Sequence, residues 1–183
     1  FADGIRIDGE VRGDVVAVYG KLSERHPERS LYTLQCHMTW NPPTEGSTDF
    51  FGGNFMAHVA AVESVGGFRE DVIDGEDHEL AIRLRGTGGM VWFLQAPMAT
   101  HDLAMYEFSQ WWKRTLRGGY GNGQIVTLHR ASPGRPRQHA WYRSWFWGLW
   151  LPLLAILLTM VFGMIGLAPI LLYGVSFVRT YFR

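Results

Sequence analysis

Apolar residues come in short bursts through most of this chain and in one long run near its C-terminus. VVAVY at residues 15–19 is a β-rich burst ended by Gly20, and MVWFL at 90–94 is another, closed by Pro97. Phe50 and Phe51 before Gly52-Gly53-Asn54 predict a strand entering a tight turn. Val59, Val62 and Val65 then recur at helical spacing up to a Gly66-Gly67 stop. A second helix is predicted from Glu76 to about Arg85. Leu80, Ala81 and Leu84 share one face of it, Asp74 is the expected N-cap, and the glycines from Gly86 to Gly89 end it. Short apolar strands alternating with helices predict an α/β layer fold. No internal repeat or low-complexity tract interrupts the pattern.

The long run is different in kind. Residues 144–178 carry no charge and include LWLPLLAILLTMVFGMIGLAPILLYGVSFV. A bilayer core of about 30 Å is crossed by roughly 20 apolar residues in a helix. The run therefore predicts a spanning helix over about 145–164 and a second apolar helix over about 167–180, parted at Gly163, Gly166 and Pro169. Trp141, Tyr142, Trp145, Trp147 and Trp150 gather at its entry, as amphipathic rings do at a headgroup boundary. Arg130, Arg135, Arg137 and Arg143 precede it. The positive-inside rule then places the preceding domain in the cytoplasm and the tail in an inner or plasma membrane. A buried hairpin in a soluble core is the competing reading. The absence of ionisable groups in the run argues against a transporter or channel subunit.

Charge sharpens this division. The chain has 183 residues with 17 Lys and Arg against 17 Asp and Glu, a net charge of zero. By segment, the net charge is −7 over 1–100, +5 over 101–143 and +2 over 144–183. Three parts follow: an acidic α/β part over 1–104, an amphipathic interfacial helix with a basic linker over 105–143, and membrane helices over 144–183. An aromatic content of 14% and a hydrophobic content of 47% exclude a disordered tail. The single cysteine, Cys36, excludes a disulfide framework and a Cys-rich zinc module. As an average, the neutral balance excludes a basic nucleic-acid binder, but it conceals the basic stretch over 101–143.

Several clusters carry candidate chemistry. Glu76-Asp77 stands at a predicted helix N-terminus, where the dipole favours a carboxylate and holds it ionised as a base. Simple helix capping is the alternative. Gly52-Gly53-Asn54 permits a backbone approach that a Cβ would block, or is an ordinary turn. Gln110-Trp111-Trp112-Lys113-Arg114 predicts an amphipathic helix with Trp111 and Trp112 at a membrane interface and Lys113, Arg114 and Arg117 on a polar side. Those cations suit either a diphosphate or anionic headgroups. Gly118, Gly119, Gly121 and Gly123 predict a flexible segment after it. The histidines other than His101 show no spacing that would build a metal site.

Three stretches taken in order carry a resemblance: FFGGNFMAHVAAVESVGGFRED (50–71), DGEDHELAIRLRGTGG (74–89) and HDLAMYEFSQWWKRTLRGGYG (101–121), followed by hydrophobic helices. Together they resemble the C-terminal half of an inverting family 2 glycosyltransferase of the GT-A fold, over roughly residues 14–183. The resemblance implies a partial GT-A α/β fold, a nucleotide-sugar donor, a glycan or lipid-linked acceptor, membrane lipids as partners, and no nucleic acid. It places the catalytic base on Asp77, with Glu76 orienting the acceptor. It places substrate contacts at Gly52, Gly53, Asn54, Gln110, Trp111, Lys113, Arg114 and Arg117. His101 stands where such enzymes hold a metal or a diphosphate, and a divalent cation (Mg or Mn) is implied. Lys113 and Arg114 depart from the Gln-x-x-Arg-Trp segment of processive members, which weakens any claim of processive synthesis.

Phe1-Ala2-Asp3-Gly4 resembles the edge of the family's Asp-x-Asp signature, with Ile5 in place of the second acid. The chain thus reads as the acceptor-side part of a longer enzyme, its donor-binding half missing and its isolated activity absent. The expected function is transfer of a sugar, with inversion, to a bacterial envelope glycan or a lipid-linked acceptor. A non-catalytic membrane-associated scaffold of the same fold is the alternative, and nucleotide-sugar binding separates the two.

Overall fold

The computed structural model describes residues 5–7, 10–132 and 138–181. The chain divides into two units, 1–136 and 137–183.

The first unit is built on two long central strands. β3 (Val15–Glu24) and β6 (Met90–His101) run parallel, and the short strands β4 (Gly46–Thr48) and β5 (Phe55–Ala57) add antiparallel edges, giving the order β4-β6-β3-β5. A hairpin of β1 (Ile5–Ile7) and β2 (Glu10–Arg12) precedes them. A parallel pair needs a long crossover, and here the crossover, residues 25–89, carries helices that pack on the sheet. α2 (Val59–Ser64) ends at Gly66 and Gly67, both at positive φ, as their spacing predicts. α3 (Glu76–Gly86) lays Leu80, Ala81 and Leu84 onto Ala17, Tyr19, Phe51, Val91 and Phe93, all buried. Val15 and Val18 bury the other sheet face with Met90, Trp92 and Leu94.

Three expectations are corrected, and one helix is added. Phe50 and Phe51 are not a strand: Phe51 turns into the core and stacks on Phe55 at 4.0 Å. β6 does not close at Pro97 but continues to His101, since register shifts near Lys21 let Pro97 sit opposite it without a regular ladder bond. α1 (Leu31–Thr39) is a helix that periodicity does not announce: it buries only Thr33 and is nucleated by a Ser30–Thr33 capping box. The glycines from Gly118 to Gly123 lie inside α4 (Phe108–Leu128) rather than in a flexible segment.

The second unit holds α5 (Gln138–Trp145), a π-helical turn at Phe146–Trp150, α6 (Leu151–Phe162), a 3-10 stretch at Gly163–Ile170 and α7 (Leu171–Tyr181). Helical residues 141–162 span about 33 Å at 1.5 Å per residue. Gly163, at φ 62°, ends α6. The tail then folds back on itself: the Tyr173 hydroxyl donates to the Trp147 carbonyl, and the two rings lie 5.3 Å apart. In a straight helix those residues would stand about 39 Å apart. By length and composition, the helical stretch Trp141–Ser176 is apolar enough to cross a membrane. Asp3, Arg135 and Arg137 lie outside the described residues.

Candidate active site

The site is organised around the start of α3. Gly75 caps that helix at φ 81°, a left-handed conformation that strains any residue with a Cβ. Asp74 is therefore not the cap. Its carboxylate instead meets Arg117 of α4, Oδ1 to Nε, at 3.2 Å. Asp77 follows in the first turn, its side chain 20% exposed, and the His78 backbone N–H donates to its Oδ1 at 2.7 Å. Burial raises the Asp77 carboxyl above its ordinary 3.8, against the lowering effect of the His78 N–H; the Glu76 and Asp74 charges add to the rise. Burial outweighs the His78 N–H here, and the result is a carboxylate with a stronger hold on a proton.

α4 latches the loop that carries these acids. The Gln124 Oε1 accepts from the Ile73 N–H at 3.2 Å, its Nε2 donates to the Asp71 carbonyl at 2.5 Å, and Arg117 donates to the Ile73 carbonyl at 3.0 Å. Gly121 lies so close to the Asp74 backbone that a Cβ there has no room, and buried Ile125 packs on Gly75. Of the glycines of α4, Gly121 serves this close approach. The exposed Arg117–Asp74 pair contributes little by itself, about 0–1 kcal/mol. The two-ended Gln124 clamp and the packing of Gly121 and Ile125 do more.

A second network holds the other end of the first turns of α3. Glu79 is fully buried and bonded by Arg83 Nε at 2.9 Å to both oxygens and by Arg83 Nη2 at 2.5 Å. Arg83 also donates to the Val65 carbonyl at 2.5 Å, beyond the end of α2. His129 Nε2, just past α4, lies 3.0 Å from Glu79 Oε1. Glu79 thus ties α2, α3 and α4 together two residues after Asp77. The spacing of Glu79 and Arg83 is legible as an i,i+4 pair; the arrival of His129 from 50 residues away is not.

The other expected site residues are placed as follows. The Asn54 amide donates to the Gly20 carbonyl at 2.8 Å and pins the turn to β3, while Gly53 faces open space and Gly52 touches only the Asn54 side chain. Gln110 caps α4, its Oε1 accepting from the backbone N–H groups of Tyr106 and Glu107 at 2.8 and 3.0 Å. Trp111 turns to α1 rather than outward, donating to Gln35 Oε1 at 3.0 Å and stacking on Tyr32 at 5.9 Å. Lys113 and Arg114 are exposed. Arg117 alone of this group joins the Asp77 loop. His101 ends β6 with its ring edge-on to Trp40 at 5.9 Å. Among the described residues no group of three His, Cys, Asp or Glu side chains is placed to hold a metal ion.

One cleft lies beside these residues. It measures about 460 Å³ and is bordered by the end of α1, by β4 and by the segment leading to Phe50. Trp40 on one side meets His101; Phe50 on the other packs edge-on against His78 at 4.9 Å, next in sequence to Asp77.

A parallel pair flanked by antiparallel edges, with helices between the strands, is the α/β fold expected from the sequence. The chain belongs to glycosyl transferase family group 2, whose family pattern matches residues 30–182. That membership supports a role in glycosyl transfer, with a nucleotide-sugar donor and an acceptor as its general partners. Neither the curated proteins nor the solved structures gave a match to this chain.

Proposed function

We propose that this chain carries the transfer step of a membrane-anchored, inverting glycosyltransferase in which Asp77 is the general base. An acceptor hydroxyl oxygen attacks the anomeric carbon of a nucleotide sugar from the face opposite the diphosphate. The new C–O bond forms as the bond to the diphosphate breaks, the nucleoside diphosphate leaves with the electron pair, and the acceptor's proton passes to Asp77. The observation that carries this reading is a partly buried Asp77 with a raised proton affinity on a loop fixed from both sides. A base works best when its proton affinity is close to the working pH, and burial moves Asp77 in that direction. Glu76, beside it, raises Asp77 further and is suited to orient the acceptor.

An acceptor in or near a lipid bilayer fits the rest of the molecule. The second unit supplies an apolar stretch of spanning length. In the first unit α1 and α4, joined through Trp111, expose Leu31, Met38, Phe108, Trp112 and Leu116 beside Lys113 and Arg114. Exposed rings and aliphatics with cations nearby suit a surface of anionic lipid. The acceptor is accordingly an envelope glycan or a lipid-linked sugar, and the first unit lies on the cytoplasmic side. The test is incubation of membranes carrying the chain joined to a donor-binding half of its family with UDP- and GDP-hexoses and a lipid extract. The expected product is a lipid-extractable glycoside whose anomeric configuration, read by NMR, is opposite to the donor's. A product of retained configuration contradicts the mechanism. Absence of nucleotide-sugar binding favours a scaffold instead.

A further inference from the structure

We infer that the apolar tail is a re-entrant hairpin, which enters and leaves the bilayer on one face and keeps its tip inside the hydrocarbon. This rests on the membrane-anchored reading, and it adds how much of the bilayer the anchor occupies. The fold-back is the first observation. α6 ends at Gly163, and the 3-10 stretch returns along it, with Gly166 so close to the Leu158 and Thr159 backbone that a Cβ has no room. Further along, the Tyr173 hydroxyl donates to the Trp147 carbonyl. That carbonyl lies in the π-helical turn, where the ladder widens so that the Leu151 N–H donates to the Phe146 carbonyl.

Both arms mark the same water line. On the first arm, Trp145, Trp147 and Trp150 form a belt of rings, with Arg143 outside it. On the returning arm, Tyr173 stands level with Trp147, and Arg179 lies further out. Rings and cations thus meet twice at one end of the hairpin. Residues 151–172 hold no Trp, Tyr or charged residue.

The depth follows from the helical rise. From Trp150 to Phe162 the chain descends about 18 Å at 1.5 Å per residue. Counted from Trp145 the descent is about 26 Å, still less than a hydrocarbon core of about 30 Å. The tip therefore lies beyond the midplane and short of the far interface. Its chemistry agrees. Residues 163–169 have no polar side chain, and Met164 and Ile165 are 84% and 80% exposed. A turn emerging on the far side would hold both in water. The tip backbone continues as 3-10 turns, which bond it internally where no water is at hand. The Thr159 hydroxyl of α6 likewise donates within its own helix, to the Ala155 carbonyl. Leu154, Leu157, Met160 and Val161 are exposed on α6 and meet lipid acyl chains.

The test is electron paramagnetic resonance on the full chain carrying Cys36→Ser, in vesicles of phosphatidylethanolamine and phosphatidylglycerol. Nitroxide labels are introduced at Arg143→Cys, Arg179→Cys and Met164→Cys singly, and at the first two together; all three positions are exposed. The label at 164 is expected to be open to oxygen and severalfold less accessible to a nickel chelate than those at 143 and 179. In the double variant the labels should lie well within the roughly 30 Å thickness of a bilayer core. One straight helix would set them about 54 Å apart. Ile165→Cys repeats the tip measurement if Met164→Cys does not reconstitute. A nickel-accessible tip means that the hairpin crosses fully and overturns the inference, as do paired labels farther apart than the core is thick. A chain that does not float with the vesicles on a density gradient fails at the membrane reading itself and overturns both.

Discussion

At the scale of the residue, two carboxylates two positions apart, Asp77 and Glu79, illustrate opposite uses of burial. Glu79 is fully buried and fully paired. Its removal strands the Arg83 guanidinium, so Glu79→Ala is expected to cost about 3–5 kcal/mol, seen as a lower melting temperature by circular dichroism in detergent. An unchanged melt would mean the network is idle. Asp77 is partly buried and accepts from the His78 backbone N–H. Its carboxyl is raised, so the folded chain binds that proton more tightly than the unfolded chain does. Stability from this group is present below the ordinary carboxylate value of 3.8 and is lost as pH rises through the raised value. Catalysis runs the other way, because the base must be free: the acid limb of the rate profile should lie above the ordinary carboxylate range. Glu76→Gln removes a charge that raises Asp77 and should move that limb to lower pH; a limb that stays in place would detach it from Asp77. The Glu76-Asp77 pair was legible in the sequence, because acids after a turn and before an apolar stripe are a helix-start signal. Burial of one and not the other was not, since it depends on what α4 and the Phe50 segment bring against them.

At the scale of the element, helices whose ends are marked by charge or glycine were legible, and those set by distant packing were not. α2 and α3 fall where their apolar spacing and glycine stops put them. α1 escapes because Leu31, Leu34 and Met38 face outward, so no buried stripe forms and only the Ser30–Thr33 cap marks it. α4 misleads because glycine inside a helix costs about 1 kcal/mol each, and four of them normally signal a loop. Here that cost is offset where Gly121 seats the helix on Asp74. Gly121→Ala is therefore expected to destabilise by about 1–3 kcal/mol, although the same change stabilises an exposed helix. It should also lower kcat, because the displaced loop carries Asp77. Arg117→Ala should cost only about 0–1 kcal/mol. Thermal melts of the two variants side by side check the contrast, and equal losses would assign the latch to the ion pair instead.

At the scale of the molecule, the zero net charge conceals an acidic stretch over 1–100, a basic one over 101–143 and an apolar run without charge over 144–178. Family membership over residues 30–182 takes in both units. The tail's apolar character was plain from its sequence, but its fold-back was only half legible: Gly163, Gly166 and Pro169 mark a break, whereas the pairing of Tyr173 with Trp147 needs the three-dimensional path. The same holds for the cleft, whose walls lie ten residues apart in sequence on either side of an edge strand that no periodicity predicts. What joins the scales is the claim that the fold exists to hold Asp77 at a sugar-transfer site. The most direct measurement is donor-dependent glycosyl transfer by Asp77→Asn, with nucleotide-sugar binding and melting temperature recorded on the same preparation. The expected result is a loss in kcat of about 10²–10⁴, donor binding nearly intact, and a melting temperature at neutral pH no lower than that of the parent chain. Turnover at the parent rate would contradict the account.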